Sequence, residues 1–144
     1  MDGWKQKWMW YILGVFIVTT FSIWSFVLDS KDGGILTVAF LDVGQGDAIF
    51  IEAPNGNQVL IDGGANTKVL RALSDVMPFY DRSLDVVIAT HPDTDHIGGL
   101  IDVLDRFDVA YIYQSGVTGD SNTYNSFTRS IEKEIEEGAQ RVIA

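Results

Sequence analysis

The chain has 144 residues, no cysteine, ten basic and twenty acidic side chains, and a formal charge of −10 at pH 7. Its length suits one domain, and the lack of cysteine excludes disulfides, thiolate zinc sites and cysteine nucleophiles, so any metal must be held by oxygen and imidazole. From Gly33 onward seven Lys and Arg face seventeen Asp and Glu with no basic patch, a balance that argues against a general nucleic-acid binder because such a surface repels phosphate.

Trp8 to Leu28 runs for 21 residues without a charge, the length needed to cross a hydrocarbon core of about 30 Å. Trp4, Trp8, Trp10 and Tyr11 at one end and Trp24 toward the other resemble the aromatic belts of bilayer interfaces. Lys5 and Lys7 precede the span, whereas Asp29, Lys31 and Asp32 follow it. That bias places the N-terminus inside and the remainder outside the cytoplasm, as a single-pass protein of the cell membrane. The segment Ile23 to Leu28 offers no small-x-small cleavage site for a signal peptidase. A buried core helix would need a polar face, and only Thr19, Thr20, Ser22 and Ser25 are available to make one. The sequence therefore divides into a membrane anchor over 1–30 and a domain over 33–144.

After the Gly33-Gly34 break, Ile35 to Leu41 is rich in β-formers, and Ala48 to Ala53 alternates as a strand should. Between them Asp42-Val43-Gly44-Gln45-Gly46-Asp47 makes a glycine turn, which gives a hairpin. Pro54 to Asn57 is a turn, and Gln58 to Ile61 is a third strand ending at Asp62-Gly63-Gly64. Val69, Leu70, Leu73 and Val76 or Met77 then recur at helical spacing until Pro78. Leu84 to Ala89 reads as a mostly buried strand that delivers the chain into His91-Pro92-Asp93-Thr94-Asp95-His96. Ile97 to Phe107 has helical spacing, Val109 to Tyr113 is a strand, Thr123 to Glu137 a helix closed by Gly138, and Arg141 to Ala144 the start of another strand.

The two histidines of the chain flank two carboxylates within six residues, at the end of a buried strand. Imidazole nitrogen and carboxylate oxygen suit zinc and manganese, and a loop at a strand end is a usual place for chemistry. Structural roles explain the aspartates alone: Asp95 can N-cap the helix beginning near Ile97, and Asp93 can form an Asx-turn after Pro92. They do not explain the pair of histidines on either side.

His-x-Asp-x-Asp-His followed by Gly98-Gly99, with Leu41 to Ala48 and Leu60-Ile61-Asp62-Gly63-Gly64 upstream and Asn122 to Asn125 downstream, resembles the extracellular metallo-β-lactamase-fold domain of ComEC-like competence proteins. The wider superfamily carries His-x-His-x-Asp-His, and Asp93 stands at the second His, a replacement common in the ComEC-like branch. The resemblance implies two divalent metal ions, zinc or manganese. His91 and Asp93 would serve one and Asp95 and His96 the other, with Asp95 central to catalysis and a bridging water attacking a DNA phosphodiester. It also implies that Asp62 orients the ligands from behind, although a turn aspartate before Gly63-Gly64 would look the same. Asp47 would face the site in the same way, or simply serve its hairpin turn. A complete domain of the family is longer and adds a downstream Gly-Asp aspartate and a His-His-Gly-Ser histidine, which have no counterpart here.

The expected fold is α/β: half of an αββα sandwich, preceded by one transmembrane helix. Its inner sheet face should remain open and apolar around Val38, Phe40, Ile49 and Ile51, ready for the missing half, and the terminal sheet edge is open to a partner. Lys68, Arg71 and Arg82 are the nearest candidates for phosphate contacts. A hydrolase of β-lactams, thioesters or small phosphodiesters is disfavoured by Asp93. A non-catalytic, membrane-anchored module that binds a metal or a partner is the remaining alternative.

Overall fold

A computed structural model describes residues 3–29 and 34–144 of the chain, which fall into two units, 1–34 and 35–144. The readings that rest on Ser30, Lys31, Asp32 and Gly33 lie outside the described residues. In the first unit, α1 (Gly3–Asp29) is 27 residues long, about 40 Å at 1.5 Å per residue. Its stretch Lys7–Ser25 has a mean hydropathy of 1.4, so the helix is long and apolar enough to span a membrane. The Thr19 and Thr20 hydroxyls donate to the carbonyls of Val15 and Phe16 at 2.9 and 2.8 Å. Folding back in this way satisfies polar groups that a lipid could not solvate.

The second unit is built on one six-stranded sheet whose strands lie side by side in chain order. β1 (Thr37–Phe40), β2 (Ile49–Glu52) and β3 (Gln58–Ile61) form an antiparallel meander. β4 (Ser83–Ala89), β5 (Asp108–Gln114) and β6 (Gln140–Ile143) continue from β3 in parallel. Parallel neighbours need a crossover, and α2 (Lys68–Val76), α3 (Thr94–Leu104) and α4 (Asn122–Glu137) supply one each.

One face of the sheet carries the core. Phe50, Leu60, Val87 and Ile112 lie opposite one another across four strands and are fully buried. They pack with Val69 and Leu73 of α2, Ile97, Leu100 and Val103 of α3, and Phe127 and Ile131 of α4. Each such side chain contributes about 1.5–3 kcal/mol on burial. Strand side chains alternate between faces, so the next row, Phe40, Ile49, Ile61, Ile88 and Tyr113, points the other way. Phe40 is 80% and Val38 49% exposed there, while Ile49 and Ile51 are half-buried. The face expected to be open and apolar is therefore open at Val38 and Phe40 and partly covered at Ile49 and Ile51.

The helix after the motif differs from expectation at both ends. It begins at Thr94 rather than near Ile97, because Asp93, in an extended conformation after Pro92, occupies the N-cap position expected of Asp95. The amides of His96 and Ile97 donate to the Asp93 carbonyl at 2.9 and 3.1 Å. Asp95 thus sits in the first turn, where its charge favours the helix dipole. At the far end, the chain leaves the helix after Leu104 and turns, and Phe107 is buried from that turn.

Candidate metal centre

The parallel pairing of β3 with β4 brings their C-terminal ends side by side, with Ile61 opposite Ile88. Asp62 leaves β3 with φ +56°, the one non-glycine positive φ among the described residues, and Asp is among the few residues that tolerate this region. Its amide still donates to the Ile88 carbonyl at 2.9 Å. The turn carries its carboxylate under the first residues beyond β4, where it is 3% exposed.

Three donors converge on that carboxylate. The Thr90 amide donates to Oδ1 at 2.9 Å, the Thr90 hydroxyl to Oδ2 at 2.6 Å, and His96 Nδ1 lies 2.8 Å from Oδ2. A carboxylate only accepts, so His96 carries a proton on Nδ1, and in the neutral ring the lone pair is left on Nε2. The His91 ring lies against the His96 ring with centroids 3.6 Å apart. One potential ligand atom each from Asp62, His91 and His96 falls within 4.8 Å of the others, so the two imidazoles and the carboxylate form one compact group.

The remaining expected residues are placed as follows. Asp93 Oδ2 is 3.6 Å from His91 Nε2, and its side chain is 72% exposed. Asp95 is half-buried on α3; neither aspartate joins a mutually close group of three ligating side chains among the described residues. Asp47 is exposed, and it approaches the site through its carbonyl, which accepts the Gly64 amide at 3.0 Å. Thr90 was not foreseen. A threonine after the apolar run of β4 reads as a further β-former, and only the register of β3 against β4 reveals its partner.

Backbone contacts clamp the three motif segments together. The Gly63 amide donates to the His96 carbonyl at 2.8 Å, and that of Gly99 to the Gly64 carbonyl at 2.8 Å. Gly46, at φ +89°, lies so close to α3 that a Cβ there would fall on the Asp95 carbonyl. Glycine is demanded at this position by both its dihedral and the approach of a neighbouring backbone. Gly98 and Gly99 serve the same approach from the helix side, where a Cβ would meet the Ala65 and Gly63 carbonyls.

Of the three candidate phosphate contacts, Lys68 and Arg71 line a cleft between the end of β1 and α2, together with Asp42 and Asp75. Arg82 lies before β4, with its guanidinium 5.4 Å from the centre of the Phe107 ring. The seven residues of β4, about 23 Å of strand, lie between it and the motif. A groove beside the motif is lined by Pro92, Asp93, Thr94 and the segment Thr118 to Ser121.

The sequence model of the Metallo-beta-lactamase superfamily matches residues 41–126. Among curated proteins none matches the chain. Among solved structures, a HARLDQ-motif mutant of a metallo-beta-lactamase from Cronobacter sakazakii aligns at 16% identity with a TM-score of 0.46, covering 55% of this chain and 31% of that one. The Rm3 metallo-beta-lactamase aligns at 18% identity with a TM-score of 0.46, covering 62% of this chain and 36% of its own. The chain thus spans about a third of the length of these structures. The family match takes in the Gly44 to Asp47 loop, Asp62 and the whole His91 to His96 motif, that is, every segment of the clamped site, and the chain belongs to the metallo-beta-lactamase superfamily.

Proposed function

We propose that this chain carries the metal-binding part of a membrane-anchored, extracytoplasmic hydrolase of ComEC-like type that acts on DNA phosphodiesters. The observation that carries the reading is the pair of imidazoles in tilted contact beside a buried carboxylate, with His96 Nδ1 tied to that carboxylate and Asp93 Oδ2 3.6 Å from His91 Nε2. This donor set fits zinc or manganese. His91, Asp93, Asp95 and His96 are the residues that would hold two such ions, with Asp62 behind them. Divalent ions there would activate water at neutral pH and offset the charge that develops on a phosphodiester. Asp62 fixes the ring of His96, and the glycine clamp fixes the first turn of α3 that carries Asp95 and His96.

DNA rather than a β-lactam is favoured by Asp93 at the position where the second histidine of the superfamily motif would stand. The anchor reading rests on the length and apolarity of α1, and the side of the membrane on the Lys5 and Lys7 flank. The test is metal content and cleavage of a DNA oligonucleotide by the full chain in detergent, beside hydrolysis of a chromogenic β-lactam. We expect bound zinc or manganese that is lost in His96→Ala, and metal-dependent DNA cleavage that disappears with it. No metal uptake would refute the metal centre, and cleavage of the β-lactam alone would move the substrate to another branch.

A second reading is favoured by the open sheet face on which Phe40 is 80% and Val38 49% exposed. An apolar face of this kind marks an interaction surface. On that reading the chain is a metal-holding module completed by a further β-layer or a partner protein, and metal uptake without cleavage by the chain alone is the result that selects it.

A further inference from the structure

We infer that Thr90 is a positioning residue that sets the tautomer of His91, so that a single buried carboxylate orients both imidazoles of the centre. The inference rests on the metal-centre reading above for its purpose, but on geometry alone for its existence. The Thr90 hydroxyl has one proton and two neighbours: Asp62 Oδ2 at 2.6 Å and His91 Nδ1 at 2.9 Å. Asp62 is 3% exposed and already takes the Thr90 amide and His96 Nδ1. A carboxylate offers no proton, so the hydroxyl proton must point at Asp62. The contact to His91 is then satisfied only if Nδ1–H donates to the hydroxyl oxygen. The chain of bonds runs from His91 through Thr90 to Asp62, and from His96 directly to Asp62. In their neutral forms both rings are then left with their lone pairs on Nε2.

This matters because a ligating nitrogen must be free of its proton, and the bond made by the other nitrogen decides which one is free. His96 alone would be half a centre. Thr90 extends the same control to a ring that Asp62 does not touch. The position requires a hydroxyl rather than a β-branched shape, so Thr90→Ser should preserve the relay and Thr90→Val, nearly isosteric, should break it.

The chain contains two histidines, so a long-range proton–nitrogen NMR spectrum of the histidine-labelled full chain in micelles resolves four ring nitrogens. It is recorded about pH 8, above the usual histidine range near 6.5. In the wild type, both rings should carry the proton on Nδ1. In Thr90→Val the His91 proton should move onto Nε2 while His96 is unchanged, and Thr90→Ser should look like the wild type. Zinc affinity, measured by competition with a chromophoric chelator, should fall about tenfold in Thr90→Val and recover in Thr90→Ser. A wild-type His91 protonated on Nε2 would overturn the inference with no variant needed. So would a Thr90→Val protein with wild-type nitrogens and zinc affinity, or a Thr90→Ser protein as impaired as Thr90→Val. If the wild type shows the expected tautomers yet binds no zinc, the metal-centre reading fails and the relay stands.

Discussion

Asp62→Asn is the most informative single change in the centre, because it alters charge and donor pattern while leaving shape and backbone alone. Asn tolerates the φ of +56° as well as Asp does, so no strain is added. The amide oxygen can keep the bond from the Thr90 amide, now 2.9 Å from Oδ1. The amide nitrogen then replaces Oδ2 and meets two groups that had been donating to it, at 2.6 and 2.8 Å. Bonds to a charged acceptor contribute about 1.5–3 kcal/mol each. Part is recovered when the Thr90 hydroxyl rotates and His96 moves its proton to Nε2, which leaves a net destabilisation of roughly 2–4 kcal/mol. The same proton shift occupies the nitrogen that would ligate, so zinc affinity should fall at least tenfold. Asp62→Ala should be worse by a further ~1–2 kcal/mol, since alanine resists the left-handed region. All four tryptophans lie in α1, so their fluorescence reports on the wrong unit, and unfolding should be followed by pulse proteolysis in urea on the full chain. An Asp62→Asn protein within about 0.5 kcal/mol of the wild type would show that the three convergent bonds do not hold the site together.

Gly46→Ala should lose about 2 kcal/mol or more and weaken metal binding, because the new Cβ would fall on the Asp95 carbonyl. Gly56, at φ +85° with nothing within 4 Å of a Cβ, is the control: Gly56→Ala should show only the dihedral cost of about 1–2 kcal/mol, and equal losses in the two would remove the clamp from the argument. Glu134, 5% exposed on α4, has its carboxyl held above the ordinary carboxylate range chiefly by burial, against a hydrogen bond from the Val109 backbone that lowers it. Burial disfavours the charged form in the folded state only, so stability should rise as pH falls from the raised folded value toward the ordinary one. Glu134→Gln should be at least as stable as the wild type at pH 7 and lack this slope, as read from urea midpoints between pH 4 and 7; Glu134→Ala, which orphans the Val109 amide, should lose about 1–3 kcal/mol. A wild type and Glu134→Gln with parallel pH profiles would refute the assignment.

Local pattern carried most of the strand and helix order, and the exceptions are instructive. β3 spans Gln58–Ile61 as its turn-bounded alternation implies. α3 starts early because periodicity registers only apolar positions, and its first turn, Thr94, Asp95 and His96, contains none. The histidine pair was legible from composition alone, since the chain has two and both lie within six residues. A place for Asp62 behind the motif was legible only through family resemblance, and its tie to His96, 34 positions away, was not legible at all. That tie exists because Ile61 pairs with Ile88, and pairing between distant strands leaves no local trace. Thr90 had no signal at all, because its role depends on which hydroxyl neighbour takes its single proton.

The acidity that argues against nucleic acid can be turned into a quantitative expectation about the nuclease reading. Seventeen carboxylates against seven basic groups from Gly33 onward give a field that repels DNA and attracts divalent cations. Lys68 and Arg71 share their cleft with Asp42 and Asp75, so they add little net positive charge. Any attraction for a phosphodiester at this end of the sheet must then come from the bound ions themselves. DNA affinity should depend steeply on metal occupancy and only weakly on monovalent salt, with a slope well below the roughly 0.7 to 0.9 per phosphate of a binder built on basic side chains. A steep salt dependence with the His91 and His96 centre stripped of metal would place the DNA-binding surface elsewhere on the protein, and would detach that binding from the chemistry of the motif.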